Sequence, residues 1–309
     1  MSDVQPFKAH NFGDFLAHQF PPVELLLDPW LPRRGIAMIF GRAGVGKTIL
    51  AQTTAYTLAT GGAFLGWRAP TPCRVLYVDG EMDPAELGNR FAAIHAANRT
   101  VGVASPTENL AIMTHADANG DFGIPDLADP GSNTRERIEE TLVDRDVLFL
   151  DNISALCRTG VENDAESWAL MNDWLIGMRR RGKTTVLVHH AGKSGKQRGT
   201  SKREDPLNTI LVLDDGKDGE PLNIRFMKNR GFVRPDPMPV RISWQDGKLA
   251  FLRDNESSDR IAELRRLLAE GWTQDQVAEK LGVSQSYVSE HRGDAGSGKR
   301  GRRRANTMH

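Results

Sequence analysis

The sequence predicts an α/β fold: a mainly parallel sheet covered by helices on both faces, an antiparallel extension of that sheet, and a small all-α module behind it. Three observations predict it. From about Gly35 to His190, short and almost continuously apolar runs alternate with helix-like stretches, as expected of parallel strands buried on both faces. After Thr209, apolar runs follow one another with turn residues between them and no helical stretch, as in antiparallel hairpins. From about Asp259 the apolar spacing turns helical over three short segments.

In chain order, residues 36–40 (IAMIF) read as a buried strand and 48–60 as a helix stopped by Gly61-Gly62. Residues 74–79 (RVLYVD) are a second strand and 84–97 a second helix. A short strand at 110–113, a helix at 134–143, a strand at 146–151 (DVLFLD), a helix at 166–181 and a strand at 184–189 complete the alternating part. Strands at 210–213, 223–227, 240–244 and 248–252 follow, with turn chemistry at 214–219 and at Gln245-Asp246-Gly247. Residues 254–258 read as a polar linker. The divisions expected are a lead-in at 1–22, a core at 23–253, a helical module at 259–292 and a Gly- and Arg-rich tail at 293–309 whose composition predicts disorder.

A chain of 309 residues, 39% of them hydrophobic, has length enough for one large domain and a small one. Basic and acidic residues balance at 40 each, so net charge gives no hint of a nucleic-acid partner. The distribution does: Arg292, Lys299, Arg300, Arg302, Arg303 and Arg304 crowd the C-terminal end with only Asp294 against them. Such a tail attracts phosphates or simply solubilises the end. Cys73 and Cys157 lie far apart, form no metal pattern and suit a reducing compartment. No apolar run reaches the roughly 18 residues of a membrane span, and residues 1–10 lack a signal-peptide core. The expectation is a cytoplasmic protein with no membrane partner.

Chemistry enters at Gly41-Arg42-Ala43-Gly44-Val45-Gly46-Lys47-Thr48, a complete G-x-x-x-x-G-K-[ST] motif between a predicted strand and a predicted helix. Its glycines let backbone N–H groups curl around phosphates, and the helix N-terminus adds its positive end. Lys47 is placed to reach the β- and γ-phosphates of ATP, and Thr48 to hold Mg²⁺. Asp151, closing a buried strand, is the candidate second carboxylate on the Mg²⁺ side; its other reading is a cap for the next helix. Glu81, in Asp79-Gly80-Glu81-Met82 after the second strand, is a candidate base for the attacking water, or a surface turn acid.

These residues resemble a family. Strand, phosphate loop, Glu81-Met82 after the second strand, Asp151 after a later one and His189-His190 after the next are similar to the RecA-like hexameric helicases. Phe64-Leu65-Gly66-Trp67, the run from Val188 to Lys193 and Lys228-Asn229-Arg230 narrow the resemblance to the plasmid RepA replicative helicase group, over roughly residues 23–251. The resemblance implies a RecA-like ATPase core in which Glu81 is the catalytic base. It implies that His190, rather than His189, senses the γ-phosphate, and that Lys228 and Arg230 reach a neighbouring subunit's nucleotide as a finger. A finger acting in trans requires a homo-oligomer, a ring or a filament made by heterologous contacts, and the resemblance implies a hexamer. It also implies that the loop after the histidines, carrying Lys193, Lys196 and Arg198, grips single-stranded DNA, a role its basic composition suits. Arg158 is a second candidate for DNA. The plainer alternatives are one core and one surface histidine, a solvated strand face for Lys228 and Arg230, and a surface loop.

The C-terminal segments resemble a helix-turn-helix. Ile261, Leu264 and Leu268 stripe the first helix, which Gly271 stops; Thr273, with Gln276 three residues on, can cap the second. Ala278 is small enough for two helices to touch, Gly282 turns the chain and Val288 anchors a third helix from Gln285 to about His291. That leaves Gln285, Ser286, Tyr287, Ser289 and Arg292 to face a duplex major groove; a trihelical protein-contact module is the alternative. Two functions follow as expectations. One is an ATP- and Mg²⁺-dependent DNA motor, and the other an ATPase switch that governs duplex binding. A recombination or repair ATPase ranks behind both.

Overall fold

A computed structural model describes residues 9–98, 104–115, 126–129, 131–158, 165–190, 205–215, 221–231, 237–253, 255–281 and 285–292. Its centre is a nine-stranded sheet. In chain order the strands are β1 (Ile36–Gly41), β2 (Val75–Asp79), β3 (Leu110–Met113), β4 (Val147–Asp151), β5 (Thr184–His190), β6 (Thr209–Asp214), β7 (Leu222–Asn229), β8 (Met238–Gln245) and β9 (Lys248–Arg253). Across the sheet they run β9-β8-β7-β6-β1-β5-β4-β2-β3. From β3 through β6 all neighbours are parallel; β7, β8 and β9 join antiparallel.

The antiparallel extension therefore starts one strand later than the apolar runs suggest. Residues 209–214 pair parallel with β1 on one side and antiparallel with β7 on the other. The remaining strand expectations hold to within a residue or two at most ends, the usual uncertainty of strand and helix limits.

Alternate residues of the parallel strands feed two cores, as the period of two demands. Ala37, Ile39, Val75, Tyr77, Val147, Phe149, Val186 and Val188 pack on one face, under α1 (Lys47–Thr60) and α2 (Pro84–Asn98). Ile36, Met38, Leu76, Leu148, Leu150 and Leu187 pack on the other, against Ile138 and Leu142 of α3 (Thr134–Leu142) and Met171, Trp174, Leu175 and Met178 of α4 (Ala165–Arg180). Phe149 is fully buried; removing such an apolar side chain from water is worth about 1.5–3 kcal/mol.

Helix α1 is buried almost all round. Its threonines meet that environment by bonding backwards: the Thr53 hydroxyl donates to the Ile49 carbonyl at 2.8 Å and that of Thr54 to the Leu50 carbonyl at 2.7 Å, which satisfies groups that burial would otherwise penalise. The β8–β9 hairpin lies against α2 and reaches α1 at its edge. Leu249 packs with Tyr56, Ala93 and Ile94, and Ile242 and Ile49 lie against that cluster. Arg253, closing β9, donates to the Leu65 carbonyl.

Behind the sheet come α5 (Asn255–Ala269), α6 (Gln274–Leu281) and α7 (Gln285–His291). Helix α5 begins inside the stretch read as a linker. Leu264, Leu267, Val277, Ala278 and Val288 form a separate small core with Leu268 and Leu281 against it. The Thr273 N–H donates to Gln276 Oε1 at 2.9 Å, and the Gln276 N–H returns to the Thr273 hydroxyl at 3.3 Å. This is the reciprocal capping box that the Thr-x-x-Gln spacing predicts. Among the described residues, no helix is long and apolar enough to cross a membrane.

Candidate nucleotide site

Four strands end at one place. Gly41 of β1 sits beside His190 of β5, and Asp79 of β2 beside Asp151 of β4. This is the carboxyl edge of the parallel strands, where open α/β sheets take ligands.

The loop that leaves β1 has Arg42, Ala43 and Gly44 exposed and Val45 buried. Gly46 caps α1 with φ 98°, a conformation that L side chains avoid. A Cβ there would also run into Ile242 Cδ1. Two constraints thus demand glycine: the left-handed turn that aims the helix N-terminus at the loop, and the hairpin lying on it.

Lys47 is only 3% exposed, and its ammonium donates to the Arg42 carbonyl at 2.6 Å. Burial pulls its pKa down to about 8, against the pull of Asp151 and Glu81 in the other direction. The Thr48 hydroxyl lies 3.3 Å from Asp151 Oδ1, while Tyr77 donates its hydroxyl to Oδ2 at 2.5 Å. Burial, reinforced by Asp79, pushes Asp151 up to about 7, although the Tyr77 and Thr48 hydrogen bonds and Lys47 favour its ionised form. Paired hard oxygens from a hydroxyl and a carboxylate, beside a phosphate-type loop, suit Mg²⁺, which takes few protein ligands and keeps several waters. Thr48 and Asp151 are the residues that would hold it.

Glu81 is placed by its own turn. Asp79 is buried and its Oδ1 accepts the backbone N–H of Glu81 at 2.9 Å and of Met82 at 2.7 Å. Gly80 donates its N–H to the Asp151 carbonyl at 2.8 Å, and a Cβ on it would meet Leu156 Cδ2 at 2.7 Å. The Asp-Gly-Glu sequence thus ties the turn to the end of β4 and carries Glu81 outward, where its side chain is 63% exposed. Glu81 Oε2 accepts a hydrogen bond from the Asn152 side-chain amide and lies 3.9 Å from His190 Nε2. Asn152 also caps the short helix Ile153–Leu156 with its Oδ1. The capping function weighed for Asp151 thus falls to its neighbour.

The two histidines separate. His189 is buried near Phe40 and Trp168, whereas His190 faces Glu81. Lys228 and Arg230 do not join this site. Asn229 pairs with Thr209, and Thr209 with Ala37, so both cations stand at the amino edge of the parallel strands. Gly41 is four residues further along β1, about 13 Å at strand rise. The Arg230 guanidinium donates to the Asp205 carbonyl at 2.8 Å.

Lys193, Lys196 and Arg198 lie outside the described residues. Arg158 Nε donates to the Ala155 carbonyl. In the helical module Gln285, Ser289 and Arg292 are exposed beside the buried Val288, and Ser286 and Tyr287 belong to the same helix. Sequence reasoning passed over Tyr77, Asp79 and Asn152 as site residues. The signal for Asp79 was present, a carboxylate at the end of a buried strand.

Comparison with known proteins agrees with this layout. A family model described as an AAA domain matches residues 2–196, and one described as a helix-turn-helix matches residues 261–290. The crystal structure of a KaiC-like protein from the hyperthermophilic archaeon Pyrococcus horikoshii OT3 is similar over 75% of this chain and 100% of its own, with a TM-score of 0.52 and 19% identity. That likeness is one of fold. No curated protein matches the sequence.

Proposed function

The chain belongs to the AAA domain family, and from that premise we propose that it is a Mg²⁺-dependent ATP hydrolase acting on DNA as an oligomer, a motor of the RepA-like replicative helicase type. Its coarse character is an AAA-type, RecA-like ATPase carrying a helix-turn-helix module. What carries the reading is convergence at one sheet edge: a phosphate loop, a hydroxyl–carboxylate pair and an exposed carboxylate, Glu81, beside His190.

Hydrolysis then runs as follows. The oxygen of a water molecule bonds to the γ-phosphorus as the bond from that phosphorus to the bridging oxygen of ADP breaks; the water's proton passes to Glu81 and on to the departing phosphate. Lys47 exchanges the Arg42 carbonyl for phosphate oxygens, and backbone N–H groups of the loop hold the rest. Mg²⁺ would neutralise charge on the β- and γ-oxygens. Lys228 and Arg230, remote from their own phosphate loop, are suited to a neighbouring subunit's nucleotide, which supports a ring.

A second reading rests on the folded helical module, with its own core and capping box: an ATPase switch whose state governs binding to duplex sites. Steady-state ATP hydrolysis measured alone, with single-stranded DNA and with duplex DNA separates the two. Strong stimulation by single strands supports the motor. Stimulation by duplex only, or by neither, favours the switch.

A further inference from the structure

We infer that Asn152 is a positioning residue for ATP hydrolysis, holding Glu81 in its working orientation. The inference rests on the reading of Glu81 as the base for the attacking water.

Asn152 uses both ends of its amide. Its oxygen accepts the Ala155 N–H at 2.9 Å, and its nitrogen donates to Glu81 Oε2. The first bond fixes which end of the amide points at Glu81, because the amide oxygen is engaged elsewhere. Asn152 is itself 3% exposed, so its rotamer is set by packing, and it follows directly on Asp151. The side chain that steadies Glu81 therefore belongs to the residue next to the one that would hold Mg²⁺.

Glu81 needs such support. It sits on a turn, it is largely exposed, and its contact with His190 at 3.9 Å is too long for a hydrogen bond. A carboxylate on a long exposed side chain samples several rotamers, and a base that must meet one water gains from being confined to one of them. With Oε2 held by a neutral donor, Oε1 is the oxygen left for the water. A neutral amide does this without adding charge beside Lys47 and the phosphates, which a lysine in its place would do.

The structural duty of Asn152 can be separated from the positioning one. Serine is also a good helix cap but is too short to reach Glu81. Aspartate is a good cap that sets a like charge against Glu81. In the full-length protein with Mg²⁺ and ATP, Asn152→Ser should keep the wild-type ATP Kd and melting temperature while losing about ten- to a hundredfold in kcat, the scale of a misplaced catalytic group. Asn152→Asp should lose at least as much. In a Glu81→Gln background, measured by single turnover, Asn152→Ser should cost nothing further, because it acts only through Glu81. Wild-type kcat in Asn152→Ser overturns the inference, as does a loss confined to Kd or one that multiplies with Glu81→Gln. Full turnover by Glu81→Gln alone would instead remove the base assignment, whatever Asn152 does.

Discussion

The Thr48 hydroxyl and Asp151 Oδ1 meet across 3.3 Å, joining the first turn of α1 to the end of β4. Phosphate loop and strand-end carboxylate thus form one unit, with Lys47 buried between them. Lys47→Ala should abolish ATP hydrolysis, and Glu81→Gln should bind ATP with near wild-type affinity while hardly turning it over. Equilibrium nucleotide binding beside steady-state kinetics tests both. Wild-type turnover in Lys47→Ala would refute the phosphate assignment, and loss of binding in Glu81→Gln would make Glu81 a structural residue.

The amino-edge position of Arg230 leads to a mixing experiment. Arg230→Ala and Lys47→Ala should each be inactive alone, yet mixtures should regain part of the activity, since some interfaces then pair an intact loop with an intact finger. No recovery at any ratio would argue against a shared site.

Asp151 gives a pH dependence. Its pKa stands at about 7 in the folded chain against an ordinary 3.8, so between these values the folded state binds more protons than the unfolded one. Stability contributed by the protonated group is complete below about pH 4 and is lost as pH rises toward 7. Without nucleotide, the melting temperature should fall from pH 5 to pH 7. Asp151→Asn should flatten that slope, leaving a remainder from Asp79, which burial also raises. An identical slope in wild type and variant would contradict the buried placement of Asp151.

Removing residues 255–309 should spare basal ATPase activity and weaken duplex binding at least tenfold, the scale of losing a reading helix and several phosphate contacts. Fluorescence anisotropy with labelled duplex measures it, and unchanged affinity would turn the module into a protein-contact element.

Much of this was legible in the sequence, for physical reasons that differ by element. Strands such as 147–151 declared themselves because burial on both faces removes polar residues, and the phosphate loop because its chemistry allows few substitutions. The Thr273–Gln276 box was readable because its partners lie three residues apart. Asn152 was not, since its partner Glu81 comes from another strand end and meets it only once Gly80 has closed on Asp151. The parallel pairing of residues 209–214 was equally hidden: an apolar strand looks the same whichever way its neighbour runs. The start of α5 at Asn255 escaped because Asn and Ser are weak helix formers.

The β8–β9 hairpin extends the ATPase core past the segment that the family model matches. Residues 2–196 account for the family match, yet the side chain resting on Gly46 is Ile242 and the one covering Tyr56 is Leu249. A chain cut at residue 196 would contain every residue of the phosphate motif while losing the side chains that lie on Gly46 and Tyr56. A unit that keeps these contacts on the phosphate loop therefore runs through Arg253, so the strap over that loop and the tether to the helical module are one continuous piece of chain.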